Sequence, residues 1–374
     1  MTKLQKILFI IPSLGGGGAE KVLVDLLDNF DYSRYAVSLL VIHHYGPYVG
    51  KVNKNVNVIS VEKGAITFYN RVCGKILRYI GLYKYVCRKK CEKLVQSDFD
   101  VVISFTTNEA LFYHSFIMKK GKRNLSWVHI DVEKNRYSYP FSSKEEESKV
   151  YSQMDEIIFV SNDAKNAFNN VFSINVPQKV IYNIVDKEKI DSLSKKENVT
   201  TSKFTIISIG RLVEVKGFDK IIKIASALKN KGYDLKFCIL GIGELEYQLK
   251  DMSKTYGVED VVEFLGFKNN PYPYLANSDI FLSTSISEAF SLVVAEALCL
   301  GVPVISTKTT GPIEIIDNEY GILTEHNEDD IMNAIIRLIE DPKLRLLYKN
   351  KAKERACMFD TTKTMNKIYT ILGK

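Results

Sequence analysis

A short loop after a predicted strand carries two cations, Arg211 and Lys216, in the sequence GRLVEVKG at residues 210–217. Cations at the carboxyl end of a strand can converge on one diphosphate, which the arginine meets as a planar fork and the lysine as a point charge. Their charge would also stabilise a phosphate that departs in a transition state. The loop therefore predicts phosphate-ester chemistry, and the alternative is a pair of solvated surface cations.

Two carboxylates follow further along the chain, Glu288 and Glu296, with seven residues between them. The pattern predicts a helix that begins near Phe290, so Glu288 precedes the helix and Glu296 lies within it. The amides of Ser291 and Leu292 would then lie at the positive end of the helix dipole, where they can bind phosphate or sugar oxygens. Because carboxylates accept hydrogen bonds from hydroxyl groups, this pair indicates a nucleotide-sugar site. Taken alone, Glu296 is also compatible with an ordinary acid on a helix face.

Four consecutive glycines, Gly15 to Gly18, lie between a predicted strand at residues 6–11 and a predicted helix at 20–27. Free backbone N–H groups at a helix start, with no side chains in the way, form a site for an anion. The sequence is not a P-loop, because AEKV stands where Gly-Lys-Ser/Thr is required. It is not a dinucleotide fingerprint, because Glu20 occupies the third glycine position. The alternative is a flexible turn without a ligand.

Alternating strands and helices position these loops. The predicted strands are runs of Val, Ile, Leu and Phe, as expected where helices cover both faces of a parallel sheet. They lie at residues 6–11, 36–42, 56–61, 101–104, 125–129, 156–160, 180–182, 204–209, 235–240, 261–265, 280–283 and 303–306. Helices are predicted between them, for example at 218–229 and 244–256. Residues 331–372 are mostly helical, with a break at Asp341-Pro342.

This alternation predicts an α/β protein made of two Rossmann-like, doubly wound parallel-sheet domains. The polar stretch at residues 186–203 (DKEKIDSLSKKENVTTSK) is the predicted linker. The first domain is therefore expected at 1–185 and the second at 186–355. A C-terminal helix at about 356–374 is a candidate to pack back on the first domain.

The composition excludes several other classes of protein. The chain has 374 residues, 46% of them hydrophobic, which is enough for two folded cores and too apolar for a disordered chain. No apolar run approaches the ~18 residues that a membrane span requires, and the run at 7–11 is too short for a signal peptide. The six cysteines form no CxxC pair and no zinc spacing, which favours a reducing cytoplasm.

Positive charge is concentrated in the first half, where residues 1–185 carry 25 Lys+Arg against 17 Asp+Glu and the remainder carries 26 against 27. The densest part is residues 69–95, with eight basic residues and one acid, Glu92. Its apolar stripe comprises Val72, Ile76, Ile80, Tyr83 and Cys87, and its basic stripe Arg71, Lys75 and Arg78. We predict a basic amphipathic helix for an anionic membrane surface, with a core-packing helix as the alternative. No RNP motif, zinc finger or helix-turn-helix signature supports binding of nucleic acid.

Two groups of possible metal ligands are interpreted otherwise. Asp98-Phe99-Asp100 resembles a metal-binding DxD motif, but it precedes a predicted strand in the first half and is interpreted as the acid pair of a turn. Cys87 and Cys91 lie four residues apart on a predicted helix with no further ligand nearby. We therefore predict no metal site.

Together these motifs resemble glycosyltransferase family 4, whose members have the two-domain GT-B fold with a cleft between the domains. The resemblance rests on GGGGAEK, GRLVEVKG and the E-x7-E pair with the tail at residues 301–305 (GVPVI), and it covers nearly the whole chain, from about residue 6 to 369. Residues 160–162 (VSN) and 181–186 (IYNIVD) are also similar to the family. It implies retention of anomeric configuration without an obligatory metal or other cofactor.

The resemblance also implies roles for individual residues. Arg211 and Lys216 would bind the donor diphosphate, Glu288 the hydroxyls of the transferred sugar, and Glu296 the ribose hydroxyls. His129, at the end of a first-domain strand, would contact the donor sugar near the reacting centre, although a lone strand-end histidine is more often structural. The resemblance implies that the remaining donor-binding residues would be Gly16, Gly17, Gly18, Gly210, Gly241, Gly243, Phe267, Ala289, Phe290, Ser291 and Leu292.

Three positions depart from the family pattern. Ala289 stands where glycine is usual after the first glutamate, and Ser291 where a small residue or proline is frequent; both changes affect the sugar pocket. Ile242 replaces an acid that is common between Gly241 and Gly243, and we expect this loop to cover the nucleotide through its backbone.

We therefore expect a cytoplasmic, membrane-associated enzyme that transfers a hexose or N-acetylhexosamine from a UDP-sugar. The acceptor would be a glycan or a sugar on a polyprenyl diphosphate, in the biosynthesis of a cell-surface polysaccharide. One alternative is a UDP-sugar epimerase that uses His129 and Glu109, which leaves the E-x7-E pair unexplained. Another is a non-catalytic scaffold subunit that binds a nucleotide-sugar.

Overall fold

The computed structural model describes residues 4–65, 67–134 and 139–373, except for the side chains of residues 69–71. The chain forms two compact units. Unit 1 ends at Ile184 and also includes the segment that begins at Thr362, and unit 2 is Val185–Thr361.

Unit 1 contains a seven-stranded parallel sheet in the order β3-β2-β1-β4-β5-β6-β7. Its strands are β1 Gln5–Ser13, β2 Tyr35–His44, β3 Asn57–Lys63, β4 Phe99–Ser104, β5 Gly121–Val128, β6 Glu156–Phe159 and β7 Gln178–Val180. The central β1 is buried on both faces from Ile7 to Ile11, because helices cover the sheet on each side. The strand order reverses between β1 and β4, and this is the point where ligands bind in open α/β sheets.

The helices of unit 1 connect successive strands and complete its core. They are α1 Gly18–Asp28, α2 Phe68–Tyr79, α3 Tyr83–Leu94, α4 Glu109–Ile117, α5 Lys144–Tyr151, α6 Asn162–Val171 and, from the end of the chain, α15 Thr361–Leu372. Helix α15 is fixed by hydrogen bonds as well as by packing. The Tyr369 ring stacks on Tyr35 at 5.3 Å, Gln5 donates to the carbonyl of Leu372 at 2.6 Å, and Arg123 donates to the carbonyl of Ile371 at 2.6 Å.

Unit 2 contains a six-stranded parallel sheet in the order β10-β9-β8-β11-β12-β13. Its strands are β8 Phe204–Ile209, β9 Leu235–Leu240, β10 Val262–Gly266, β11 Ile280–Ser283, β12 Val304–Thr307 and β13 Ile322–Thr324. Its helices are α7 Lys187–Ser194, α8 Phe218–Asn230, α9 Glu246–Thr255, α10 Tyr272–Ala276, α11 Leu292–Cys299, α12 Thr310–Ile316, α13 Glu328–Glu340 and α14 Pro342–Arg355. Here the strand order reverses between β8 and β11.

These two sheets confirm the predicted pair of Rossmann-like α/β domains. Each predicted strand overlaps an observed one, and three details differ. The strand predicted at 180–182 is β7 at Gln178–Val180, the predicted helix at 244–256 is α9 at Glu246–Thr255, and β13 was not predicted.

The predicted linker at residues 186–203 is wrong in its first half, which forms α7. The Asp186 carboxylate accepts a hydrogen bond from the Lys189 amide at 2.9 Å and caps the helix. Ile190 is buried where α7 packs against α10 and α11. The polar composition therefore reflects a helix with one buried face and a solvated remainder.

The predicted single helix at residues 69–95 is also wrong, because the chain breaks it into α2 and α3. Gly81 lies between them in the left-handed region, at φ +74°. Helix α3 packs against β3 and α4 and buries Cys87 and Cys91, so it follows the core-packing alternative. Helix α2 keeps apolar side chains in solvent, for example Ile76 at 54% exposure.

Within the described ranges, no helix is both long enough and apolar enough to cross a bilayer.

Candidate functional site

In unit 2, Lys216 and Glu288 meet at the point where the strand order reverses. The loop of Lys216 follows β8 and the loop of Glu288 follows β11, so the two loops lie side by side at the carboxyl edge of the sheet. The Lys216 ammonium donates a hydrogen bond to Oε1 of Glu288. Both side chains remain partly accessible, at 26% and 14% exposure. The sequence-predicted cation and carboxylate therefore form one partly exposed ion pair.

Neighbouring loops hold Glu288 on both its side chain and its backbone. The Ser285 hydroxyl donates to the Glu288 carboxylate at 2.9 Å. The carbonyl of Glu288 accepts from the Thr310 hydroxyl at 2.5 Å and from the Gly311 amide at 2.8 Å. A Cβ on Gly311 would lie 2.4 Å from Cα of Phe290, so only glycine allows this approach. These positioning residues were not predicted, although Thr310 and Gly311 do lie just after a strand.

Backbone geometry holds Lys216 in a similar way. The residue that follows it, Gly217, has φ +62°, and a Cβ there would lie 2.4 Å from the carbonyl oxygen of Thr284. The Thr284 hydroxyl donates to the carbonyls of Lys216 and Gly217 at 3.0 and 2.9 Å. The lysine loop is thus fixed to the end of β11, from which the loop of Glu288 continues.

Gly210, Gly241 and Gly243 bring the loops after β8 and β9 into backbone contact. A Cβ on Gly241, whose φ is +142°, would lie 1.8 Å from the Gly210 carbonyl oxygen, and one on Gly243 would lie 2.2 Å from the Leu212 carbonyl oxygen. The Leu212 amide donates to the Ile242 carbonyl at 3.0 Å. Gly241 and Gly243 are therefore required by the stacking of two loops, whatever ligand these loops contact, whereas a Cβ on Gly210 would make only an ordinary contact, 3.5 Å from the Phe218 ring.

Helix α11 carries the second carboxylate. The helix begins at Leu292, two residues later than predicted, after Ser291 in the left-handed region at φ +65°. Glu296 is buried at 4% exposure, and its Oε1 accepts a hydrogen bond from the Tyr272 hydroxyl at 3.1 Å. The carboxylate is thus oriented by a partner that the sequence did not indicate. Glu296 is not the solvated helix-face acid of the alternative.

Four further predicted residues differ in their exposure. The Arg211 side chain is exposed, and among the described residues it has no hydrogen-bond or ion-pair partner. Phe267 follows β10 and is also exposed. Ala289 and Phe290 are both buried. Arg211 can therefore add net positive charge beside the Lys216–Glu288 pair, whose own charges cancel.

In unit 1, the glycine loop lies between β1 and α1. Gly16 has φ +93°, and Gly17 is the residue that precedes the first turn of α1. The Glu20 carboxylate lies over Gly17, where an added Cβ would be 2.3 Å from Oε2. An acid at this helix position commonly reaches back to the start of the helix. The loop amides therefore face a carboxylate, which disfavours a second anion there.

His129 lies just past β5, at the same edge of the unit 1 sheet. Its ring packs against Phe105 at 4.6 Å and Trp127 at 5.8 Å between ring centres. Burial lowers the pKa of His129 to about 3, so the imidazole is neutral at ordinary pH. Nε2 is buried without a hydrogen-bond partner among the described residues.

The DxD-like acids are bound by lysines. Asp100 lies within β4 and accepts from Lys122 at 2.7 Å and from the Lys6 amide at 2.8 Å, and Asp98 pairs with Lys120 at 3.3 Å. In the portion of the chain that the structure describes, no cluster of three or more His, Cys, Asp or Glu side chains is arranged to hold a metal ion.

Comparison with known proteins places this site in a family. Residues 189–355 match the family model for glycosyl transferases group 1. The chain is 31% identical over 378 residues to N-acetylgalactosamine-N,N'-diacetylbacillosaminyl-diphospho-undecaprenol 4-alpha-N-acetylgalactosaminyltransferase of Campylobacter jejuni, covering 96% of this chain and 97% of the relative. It is 25% identical to an uncharacterised glycosyltransferase of Haemophilus influenzae, covering 94% and 95%.

The solved structures agree on the fold. The Anabaena protein HepE, crystallised with UDP and glucose, superposes with a TM-score of 0.78 at 21% identity, covering 99% of this chain and 100% of HepE. The family model matches most of unit 2, and the Campylobacter jejuni relative is similar over nearly the full length of both chains. The sheet topology and the arginine, lysine and glutamate motifs agree with both findings. The chain belongs to the group 1 glycosyltransferases, enzymes of the family 4 type with the GT-B fold.

Proposed function

We propose that the protein transfers a hexose or N-acetylhexosamine, with retention of configuration, from a UDP-sugar to a sugar on a polyprenyl diphosphate carrier. The reaction breaks the bond between the sugar C1 and the UDP oxygen, forms a bond from C1 to an acceptor hydroxyl oxygen, and releases UDP together with the proton of that hydroxyl. The product would enter a bacterial cell-surface glycan. Unit 2 would be the donor-binding domain and unit 1 the acceptor-binding domain.

The observation that carries the proposal is the Lys216–Glu288 pair at the reversal point of the unit 2 sheet. A lysine ammonium has three donors, so Lys216 can keep its bond to Glu288 and also bind a diphosphate oxygen. Together with Arg211 it would stabilise the charge that accumulates on departing UDP. Glu288 would accept hydrogen bonds from the sugar, and Glu296, oriented by Tyr272, from the ribose.

Two relatives support the choice of substrates. HepE was crystallised with UDP and with UDP-glucose, which supports a UDP-sugar donor. The Campylobacter jejuni relative is named for transfer of N-acetylgalactosamine to a saccharide on diphospho-undecaprenol, which supports a lipid-linked acceptor. No metal or other cofactor is part of the proposed reaction.

We further propose peripheral attachment to the inner face of the cell membrane through α2. Ile76 in α2 and Ile80 directly after it are each more than half exposed beside basic residues, and this combination suits an anionic lipid surface. Replacing both isoleucines by serine is expected to weaken sedimentation with phosphatidylglycerol vesicles without lowering Tm. Undiminished sedimentation would exclude α2 as the attachment site.

The donor is tested by thermal stabilisation with UDP, GDP, ADP and TDP, each with and without EDTA, followed by turnover of UDP-sugars. A ligand that binds only the folded protein raises Tm according to its affinity. We expect UDP to raise Tm in the presence of EDTA, and product with the α configuration when the donor is an α-linked UDP-sugar. A rise with GDP or ADP alone would change the donor, and an epimerised UDP-sugar without transfer would indicate an epimerase.

A further inference from the structure

We propose that His43 and Glu109 form a subsite on unit 1 that binds a hydroxyl group of the acceptor sugar. This inference rests on the proposed function, and it adds two residues for which the motifs of the family provide no role. His43 is the penultimate residue of β2 and Glu109 is the first residue of α4. Nε2 of His43 lies 3.0 Å from Oε1 of Glu109.

The pair lies where unit 1 would hold a ligand. His43 is beside Ser13 at the end of β1, and α4 packs against β1 after the chain leaves β4. The sheet order reverses between β1 and β4. Both side chains are partly accessible, at 14% and 17% exposure, so solute can reach them.

The backbone beside Glu109 is strained. Asn108 has φ +57° and ψ −110°, outside the regions that a residue with a side chain favours. Such a conformation is energetically unfavourable and is concentrated at functional sites. It fixes the direction in which α4 begins, and thereby the position of the Glu109 carboxylate.

Unsatisfied polar atoms lie along this edge of the sheet. Among the described residues, Nδ1 of His43, Oγ1 of Thr106 and Nε2 of His129 are buried without hydrogen-bond partners. They lie at the ends of β2, β4 and β5, which belong to the four consecutive strands β2-β1-β4-β5 on either side of the reversal point. Buried polar atoms are normally bonded, so this edge has unused capacity for a polar ligand.

The charges at this edge select a hydroxyl group over a phosphate. Glu109 and Glu20 are both acids in the first turn of a helix that follows a strand of the reversal point, α4 after β4 and α1 after β1, and both would repel the diphosphate of a lipid carrier. A carboxylate that accepts from a histidine can accept a second hydrogen bond from a neutral hydroxyl. The subsite therefore fits the sugar end of the acceptor.

The test uses the full-length protein, a UDP-sugar donor, and undecaprenyl diphosphates carrying N-acetylglucosamine, N-acetylgalactosamine or the saccharide of the Campylobacter jejuni relative. For the acceptor that the wild type uses, Glu109→Gln is expected to raise the acceptor KM about tenfold or more. Its kcat, its donor KM and its hydrolysis of UDP-sugar by water are expected to stay near wild type. The reason is that the lost hydrogen bond stabilises the bound acceptor equally in the ground state and in the transition state. His43→Gln should raise the acceptor KM by a smaller factor.

Asp98→Asn is the matched control, because it removes a surface carboxylate at the opposite edge of the same sheet. An unchanged acceptor KM in Glu109→Gln overturns the subsite. A wild type that binds UDP and uses none of the three acceptors contradicts the proposed acceptor class, and the subsite with it. If either variant loses the rise in Tm with UDP, the test uses the wild-type protein instead. Bound acceptor should then slow the modification of His43 by diethyl pyrocarbonate, which mass spectrometry measures. A rate that the acceptor does not slow overturns the proposal.

Discussion

The two sheets reverse their strand order in the same way, yet the groups collected at the two reversal points differ. In unit 2, Lys216 and Glu288 are paired, and hydroxyls and amides hold their loops at 2.5–3.0 Å. In unit 1, His43 and Glu109 are paired, but buried nitrogen and oxygen atoms around them have no partners among the described residues.

The difference shows how each unit prepares for a ligand. In unit 2, hydrogen bonds within the protein hold Lys216, Glu288 and the loops that carry them, so this pair is preorganised. Unit 1 leaves polar groups unsatisfied, which costs stability unless a ligand or water completes them. The two reversal points thus differ in how completely the polar groups around a charged pair are satisfied within the protein.

Breaking the Lys216–Glu288 pair is expected to have the largest effect. Lys216→Ala or Glu288→Ala should lower kcat about a hundredfold to a thousandfold, because each removes a charge that acts on the reacting groups. Initial rates with a UDP-sugar measure this, and Tm shows that the fold is retained. Lys229→Ala, which breaks the exposed Lys229–Asp260 pair of the same unit, is the control. Wild-type turnover in either site variant would refute the assignment.

In unit 2, the loops after β8 and β9 pack so closely that one added methyl group is expected to destabilise the fold. Gly241→Ala should destabilise the protein by about 3 kcal/mol or more, because its Cβ would overlap the Gly210 carbonyl oxygen in a strained conformation. Gly232→Ala is the matched control: φ is +84°, but no atom lies within 4 Å of the added Cβ, so a cost of about 1 kcal/mol is expected. Urea unfolding measures both, and equal losses would contradict the stacking argument.

Burial of His129 at the edge of the unit 1 sheet is expected to lower the free energy of unfolding by less than the Gly241 substitution does, and by an amount that depends on pH. Burial holds the pKa of His129 at about 3, whereas the unfolded chain binds a proton near pH 6.5. The free energy of unfolding should therefore fall by about 1.4 kcal/mol per pH unit below pH 6.5 through this group. His129→Phe should remove that slope, while His114, whose pKa burial lowers to about 4, keeps its own. Urea unfolding at pH 7, 6 and 5 measures the slopes, and parallel curves would contradict a buried neutral His129.

Most of the fold follows from hydrophobic runs, and the exceptions have physical causes. Strands such as β8 are long and uniformly apolar, so their position is encoded locally. Strand β13 has three residues, too few for a periodic pattern. Helix α7 exposes most of its surface, so a single buried residue, Ile190, distinguishes it from a linker. Gly81 gave a visible signal for the break between α2 and α3.

The candidate site also has a part that the sequence predicts and a part that only the folded structure reveals. Arg211, Lys216, Glu288 and Glu296 are recognisable because they recur in fixed short motifs. The contacts that orient them come from distant segments, such as Tyr272 on Glu296 across 24 residues. His43 and Glu109 are 66 residues apart, so only the folded sheet brings them together.

Helix α15 has a consequence for how the protein is made. Because this helix belongs to unit 1 but follows all of unit 2 in the chain, the packing of unit 1 is completed only after the whole of unit 2 has been translated. Until residues 362–372 leave the ribosome, the Tyr35 ring and the start of β1 remain uncovered. Unit 1 therefore completes its packing last, although its strands are translated first.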